Sequence, residues 1–356
     1  MTGNLILDVF NSDAFSAMEL TSFVDRHPYN PTGLGALDLF EEIPIRTTAL
    51  AVEERDGILA LITTSPRGAP AQERITEKRK MRYFECPRLF HGDTLYASEL
   101  QNIREFIGDG GLAVTTLMQV QTEVARRLAG PTGLLANLEY TQEYHRLGAI
   151  QGILLDANGS VIRNWFNEFE ISPAAEVVFD LAAGSVNPTG TIRPQCNAIV
   201  RAMMRAAQGT WTPTTKVVAL CGDQFFDGFT NHMDVNRTFL NWQDAKDLRR
   251  GNAFQEFEFG SITWMNYRGS DDNSTIAIPT NKVKFFPQGA PGVFQKAMAP
   301  AESAQWVNTP GKPVYVQPIY DRDRQEWVRF EVKAYPLHIC TRPDMLQSGT
   351  ADSTAD

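Results

Sequence analysis

One group of side chains in the sequence has the types that bind metal ions or carry out acid and base chemistry. It consists of Asp223, Asp227, His232 and Asp234. Asp223 and Asp227 are four residues apart, and that spacing places both carboxylates on one face of a helix. Carboxylate and imidazole groups hold the metal ions that activate water in hydrolases. A metal-assisted hydrolase that uses Asp223, Asp227 and His232 is therefore one hypothesis for this chain.

The same group has a structural interpretation, which we favour. Asp223 precedes a helical pattern that reaches His232, and an aspartate before a helix caps its free backbone N–H groups. No second histidine or glutamate lies near the group in the sequence. The patterns HExxH, GxSxG, GxGxxG and the Walker loop do not occur either. We accordingly predict no catalytic residue, no cofactor and no metal site.

Composition and charge argue against several other classes of protein. The cysteines Cys86, Cys196, Cys221 and Cys340 form no CxxC pair, so we expect isolated thiols packed as small apolar side chains. The formal net charge of -9 argues against a protein that grips phosphate backbones. No apolar stretch approaches the roughly 20 residues of a membrane-spanning helix, and no signal peptide begins the sequence. We expect a protein made in a cytoplasm, without membrane contact.

Charge is unevenly distributed along the first quarter of the chain. Residues 1–60 carry ten acidic side chains against three arginines, a local net of -7. Residues 65–88 carry seven basic side chains against three acidic ones, a local net of +4. This asymmetry indicates that the basic stretch of one copy lies on the acidic stretch of another. The predicted intersubunit contacts are Arg67, Arg74, Lys78, Arg79, Lys80, Arg82, Asp8, Asp13, Glu19, Glu53 and Glu54.

The basic stretch Arg74–Arg82 also has a nucleic-acid interpretation. Tyr83 and Phe84 follow it, and aromatic side chains can stack on bases. However, Glu73 and Glu77 interrupt the positive charge, and the whole chain is acidic. We therefore favour contact with protein.

The N-terminal third reads as an arm followed by a projecting hairpin. Residues 1–45 have only one helical pattern, Ala14–Val24 after Asp13, and they need a surface on which to lie. Thr47–Val52 and Ile58–Thr63 read as strands joined by a turn around Arg55-Asp56-Gly57. The charged stretch Ser65–Lys80 cannot form a core. It predicts a hairpin of about 10 residues per side that projects on the order of 30 Å.

The rest of the chain reads as mixed helix and strand. Residues 112–148 have a helical pattern that Gly130-Pro131 should break or kink, with an end near Gly148–Gly152. Asn158-Gly159 predicts a hairpin turn with both residues at positive φ. Further on we predict a helix Asn197–Ala207, a buried strand Lys216–Leu220, strands on either side of Gly260, paired strands Lys312–Ile319 and Trp327–Ala334, and a disordered tail Gln347–Asp356.

Short segments in a fixed order span nearly the whole chain. They are Asp13–Ser16, Leu20-Thr21, Leu39-Phe40, Thr47-Thr48, Glu53–Gly57, Leu59–Ile62, Pro66–Pro70, Ala97–Gln101, Ile103-Arg104, Leu138–Tyr140, Gly148–Gly152, Phe286–Gly289, Ala299–Ala301, Val307–Gly311 and Pro336–Pro343. Together they resemble the lambda-type major capsid proteins of tailed phages, the phage capsid protein E family. That family is similar in fold to the Hong Kong 97-type coat proteins.

The resemblance implies an α+β fold of the Hong Kong 97 type. In it, residues 1–45 would be an N-arm, and residues 46–171 a P domain with an inserted E-loop (about 59–87) and a spine helix (about 112–148). Residues 172–336 would be an A domain with returning P-domain strands, and residues 337–356 a C-terminal segment with a disordered tail.

The resemblance also implies a function. The chain would be a coat protein that forms pentamers, hexamers and an icosahedral shell, and that encloses double-stranded DNA without sequence-specific binding. Expected partners are a separate scaffolding protein, a portal and a decoration or cement protein. The expected location is the virion, with the host cytoplasm during assembly. A nanocompartment shell protein of the same fold remains an alternative.

Overall fold

The computed structural model describes residues 33–56, 78–102, 123–130, 133–181, 190–240, 256–267, 276–324 and 326–352. The strands are β1 (Glu41–Pro44), β2 (Ala49–Asp56), β3 (Lys78–Glu85), β4 (Leu89–Tyr96), β5 (Ile153–Leu155), β6 (Val161–Asn164), β7 (Val177–Phe179), β8 (Lys216–Cys221), β9 (Phe257–Phe259), β10 (Ile262–Asn266), β11 (Lys282–Gln288), β12 (Phe294–Met298), β13 (Tyr315–Tyr320), β14 (Trp327–Ala334), β15 (Pro336–Cys340) and β16 (Gln347–Ala351). The helices are α1 (Ala97–Asn102), α2 (Leu134–Gln151), α3 (Trp165–Glu168), α4 (Ile192–Ala206), α5 (Asp223–Asn231) and α6 (Met233–Leu240). Residues 123–129 are also helical.

The largest sheet among the described residues has the strand order β7-β16-β11-β8-β10-β9. Its central strand β8 is buried from Val217 onward, as expected for a short apolar run. Aromatic rings from the sheet and from α5 form its core, and the rings of Phe229 and Trp264 stack with centroids 3.9 Å apart. Two smaller sheets have the orders β1-β12-β15 and β13-β14-β4, and β2-β3 and β5-β6 form two-stranded ribbons. The predicted mixture of helix and strand is confirmed.

The predicted long helix is interrupted, as its sequence indicated. The helical segment 123–129 ends at Gly130, whose N–H donates to Arg126 O at 2.9 Å, and α2 begins only at Leu134. At its other end α2 stops at Gln151, because Gly152 adopts a left-handed φ of 82° and its N–H donates to the last carbonyls. Both the break and the end were predicted correctly.

Two hairpin turns contain residues with positive φ, and the first of them differs from the prediction. The β5–β6 turn lies where Asn158-Gly159 placed it, but in that turn only Gly159 has a positive φ, of 81°. The N–H of Asp156 donates to Ser160 O, which makes a three-residue loop in place of the predicted two-residue one. The predicted strands around Gly260 are confirmed as β9 and β10. Their two-residue turn has Gly260 and Ser261 at φ 62° and 64°.

The predicted turn around Arg55-Asp56-Gly57 is wrong at its first two residues. Arg55 and Asp56 continue β2, which pairs with β3 over eight residues and places them opposite Arg79 and Lys78. Alternate positions of a strand can face solvent, where charged residues are tolerated. The run of charged residues therefore does not end β2. Ile58–Thr63 and the tip of the hairpin lie outside the described residues.

Two ends of the chain contribute more to the core than predicted. Gln347–Ala351, expected to be disordered, forms β16 between β7 and β11 in the largest sheet. Its small residues fit because a Cβ at Gly349 would lie 2.8 Å from Val283 Cγ1. Near the other end, Leu34 and Phe40 are buried and β1 pairs with β12, so the predicted arm joins the body before Ile45.

Candidate assembly surface

The β2–β3 hairpin has one face attached to the body and one face exposed. Phe84 is buried and packs on the rings of Trp165 and Phe169, with centroids 5.4 and 5.9 Å away. Successive side chains of a strand point to opposite faces. Met81 and Tyr83 therefore point outward and are 55% and 67% exposed. The buried position of Phe84 also removes one of the two aromatic rings required by the nucleic-acid interpretation.

Two of the predicted contact residues fasten the hairpin to the turn after α3. Lys80 Nζ lies 2.6 Å from Glu170 Oε1. The Arg82 side chain is mostly buried, donates to the backbone carbonyl of Glu168 and lies 3.7 Å from Glu170 Oε1. The hydrogen bond from Lys80, together with both positive charges, lowers the pKa of the Glu170 carboxyl. Both ion pairs therefore join the base of the hairpin to the body of the same subunit.

Another predicted contact pair lies across the two strands of the hairpin. Arg79 Nη1 lies 3.6 Å from Glu53 Oε1 on the partner strand, and the Arg79 side chain is the more exposed of the two. In the strand register Lys78 lies opposite Asp56, and Glu54 opposite Lys80. The remaining predicted contacts lie outside the described residues: Arg67, Arg74, Asp8, Asp13 and Glu19. The sequence analysis missed Glu168 and Glu170, because they contact Lys80 and Arg82 across about 90 positions of chain.

A buried carboxylate on α2 holds the start of the described chain. Glu143 accepts hydrogen bonds from the N–H of Leu34 at 2.6 Å and of Gly35 at 3.2 Å. It also accepts from Tyr267 Oη at 3.2 Å and Arg146 Nη1 at 3.1 Å. Four donors satisfy the charge that burial would otherwise penalise. Glu143 therefore holds Leu34 and Gly35 against α2.

Two buried histidines lie beside this carboxylate cluster. His145 on α2 and His338 on β15 have ring centroids 6.3 Å apart, and both are fully buried. Their ring nitrogens have no hydrogen-bond partner among the described residues. Desolvation lowers the pKa of His145 to about 4. Desolvation also lowers the pKa of His338 well below its ordinary value, with added repulsion from Arg146 and Lys296. Both rings are neutral near pH 7.

The structure does not assemble the group Asp223, Asp227, His232 and Asp234 into a metal centre. Gly222 is the cap of α5, so the predicted capping role of Asp223 is wrong: it is the first helical residue, and its Oδ1 accepts from Asn266 Nδ2 at 2.9 Å. His232 Nδ1 accepts from the N–H of Asp234 at 3.2 Å. Within the described ranges, no group of three or more His, Cys, Asp or Glu side chains could hold a metal ion.

The four cysteines are free thiols, as predicted. Cys196, Cys221 and Cys340 are buried, and desolvation raises the pKa of each thiol, to about 12 for Cys196 and Cys340. Cys86 is half-buried with its pKa raised to about 11. Such thiols are poor nucleophiles near neutral pH. A search of the described helices finds none long and apolar enough to span a membrane.

Comparison with solved structures defines the class of fold. The chain aligns with the structure titled "Asymmetric unit of bacteriophage PhiM1 mature capsid" at a TM-score of 0.50 and 10% identity, over 92% of this chain and 90% of that one. The fold is the Hong Kong 97-type fold of phage capsid proteins. The family model described as "Phage major capsid protein E" matches residues 16–351. The chain therefore belongs to this family of virion proteins, and the resemblance seen in the sequence is confirmed.

Two relatives are described as major capsid proteins. A "Major capsid protein" of Salmonella phage Felix O1 is 23% identical over 95% of this chain and 97% of its own length. A "Major capsid protein" of Pseudomonas phage KPP10 is 25% identical over 86% of this chain and 89% of its own length.

Proposed function

We propose that this chain is a coat subunit that forms pentamers and hexamers and closes into an icosahedral shell around double-stranded DNA. The family match over residues 16–351 carries this proposal. The net charge of -9 suits a shell that encloses DNA without adhering to it. In this proposal the chain has no catalytic site.

The β2–β3 hairpin supports the proposal because one of its faces is exposed and suits contact with a neighbouring subunit. An isolated two-stranded hairpin is at best marginally stable in water. Its base is fastened on one side, whereas Met81 and Tyr83 are exposed on the other. Tyrosine and methionine are enriched where protein interfaces form. Arg67, Arg74, Lys78 and Arg79 of one copy would then face the acidic N-terminal residues of another, while Lys80 and Arg82 keep their pairs with Glu170 of their own subunit.

The domain correspondence remains part of the proposal. Residues 1–45 would be the N-arm, and residues 46–171 the P domain with the E-loop (about 59–87) and the spine helix (about 112–148), to which α2 belongs. Residues 172–336 would be the A domain with returning P-domain strands, and residues 337–356 the C-terminal segment. Partners would be a separate scaffolding protein, a portal and a decoration or cement protein.

Negative-stain electron microscopy of the expressed chain, with and without a phage scaffolding protein, tests the proposal. Rings, tubes or closed shells are the expected result. A small monodisperse species under both conditions would refute it. A viral coat and the nanocompartment alternative differ in what the shell encloses. Shells isolated from virions should contain nucleic acid, whereas a nanocompartment would hold protein cargo.

A further inference from the structure

A groove of about 600 Å³ lies at the foot of the hairpin, against β6 and the loop that follows β12. Its buried or half-buried lining is mainly apolar, and its exposed lining mixes charged residues with Thr48, Val307 and Asn308. The apolar part includes Cys86, Ile162, Ala299, Pro300 and Ala301.

Three arginines stand around this groove. Arg88 Nη2 is 3.4 Å from Glu302 Oε2, and Arg163 Nη1 is 3.3 Å from Glu168 Oε1. Arg46 makes no ion pair with a described residue. Ion pairs this accessible are weak and exchange readily with another carboxylate. Glu85 also lines the groove, so the arginines outnumber the glutamates by three to two. These five charged residues leave a net charge of +1 on the groove. An apolar surface beside accessible arginines suits an extended apolar segment that carries a carboxylate.

The sequence contains such a segment near its start. Leu5–Phe10 reads Leu-Ile-Leu-Asp-Val-Phe, five large apolar side chains around the single carboxylate of Asp8. Burying apolar side chains of this size is strongly favourable. Residues 1–32 precede the described chain, and at about 3.3 Å per extended residue they can reach on the order of 100 Å. That reach extends beyond the subunit's own surface to a neighbour.

We propose that Leu5–Phe10 of one copy lies in this groove of a second copy, with Asp8 beside the arginines. The inference rests on the proposed function, because an assembly brings the second copy within reach. It names the site on which the acidic N-terminal residues lie.

Disulfide trapping between two co-expressed populations tests it. Both carry Cys86→Ser, which removes the half-buried thiol from the groove. One carries Asn4→Cys or Asn11→Cys, which flank the segment. The other carries Val307→Cys, at a groove position that is 62% exposed. After assembly and mild oxidation, a non-reducing gel should show a dimer of the two populations that neither forms alone.

Two charge variants test whether the contact depends on the Asp8 carboxylate. Asp8→Arg in the first population should lower the dimer yield about fivefold, as expected for loss of one accessible ion pair. Asp25→Arg changes the net charge equally, lies outside the segment and should leave the yield unchanged. Shells that form without the mixed dimer would overturn the inference alone. A third population carries both cysteines in one chain, and a crosslink found only within those single chains would also overturn the inference. Failure of the parent chain to form any shell would overturn the proposed function as well.

Discussion

The Glu143 carboxylate on α2 accepts a hydrogen bond from the backbone N–H of Leu34, 109 positions away, at 2.6 Å. Arg146, Tyr267 and Gly35 donate to the same buried carboxylate. This one side chain therefore joins the long helix to the first described residues and to the strand end at Tyr267.

Glu143→Ala should lower the free energy of unfolding by about 3 kcal/mol, because it leaves Arg146 buried without this partner and three other donors unsatisfied. Denaturant unfolding monitored by tryptophan fluorescence measures the change. Glu41→Ala, at an exposed position of β1, is the control and should change stability by less than about 0.5 kcal/mol. Equal effects of the two substitutions would show that Glu143 does not hold this junction.

The buried histidines predict acid sensitivity. The folded-state pKa of His145, about 4, is below the ordinary value of 6.5, so the unfolded chain binds the extra proton first as pH falls. Above pH 6.5 the ring is neutral in both the folded and the unfolded chain, and its burial costs no protonation energy. Between pH 6.5 and pH 4 the free energy of unfolding should decline by roughly 3 kcal/mol. His338 should act in the same direction. Unfolding of His145→Leu at several pH values should show a shallower decline than the parent. Parallel curves would contradict the assignment.

The double variant Asp223→Ala with His232→Ala addresses the hydrolase hypothesis. We expect it to assemble normally and to lose about 1 kcal/mol of subunit stability, because Asp223 gives up its bond to Asn266 and its place at the helix N-terminus. Elemental analysis should find no stoichiometric metal in parent or variant. Metal present in the parent and lost from the variant would establish the competing function.

The packing around β16 predicts that a larger side chain at its centre lowers the stability of the subunit. The sequence had indicated a disordered tail for this segment. Gly349→Val should cost about 1–3 kcal/mol, because a Cβ there would lie 2.8 Å from Val283 Cγ1 and 2.9 Å from Phe179 Cε2. Ser348→Ala, one position earlier on β16, should have little effect. A thermal melt of both variants decides it. An unaffected Gly349→Val would mean that the tail does not insert in the sheet.

Local signals in the sequence were sufficient where backbone chemistry decides the structure. Gly130-Pro131 must interrupt a helix, and Gly152 ends one through its left-handed conformation. The apolar run Val217–Cys221 had to be a buried strand.

Contacts between distant residues account for what the sequence analysis missed. The composition of Gln347–Ala351 is that of a loose tail, and only the crowded site between Val283 and Phe179 explains its small residues. Asp223 has the type of a cap, but the backbone turns one residue earlier, at Gly222. Glu143 lies in a predicted helix, and nothing in the neighbouring sequence marks it as a partner of Leu34.

Charge reversal on the hairpin is the measurement closest to the central claim of self-assembly. Replacing Arg74, Lys78, Arg79 and Lys80 with Glu should leave the subunit folded. The described pairs, Arg79 with Glu53 and Lys80 with Glu170, are exposed and contribute about 0–1 kcal/mol each. A charge-conserving variant that exchanges Arg and Lys at these four positions is the control.

Light scattering with scaffold at low and high salt, beside a thermal melt, gives the answer. The parent and the control should form large closed particles at low salt. The reversed variant should stay small there and recover partly at 1 M salt, where screening reaches down to about 3 Å. Every copy repeats these contacts around a closed shell, so small energies add into a large one. A reversed variant that assembles like the parent at low salt would contradict the hairpin's role, and a parent that stays small would contradict the coat function itself.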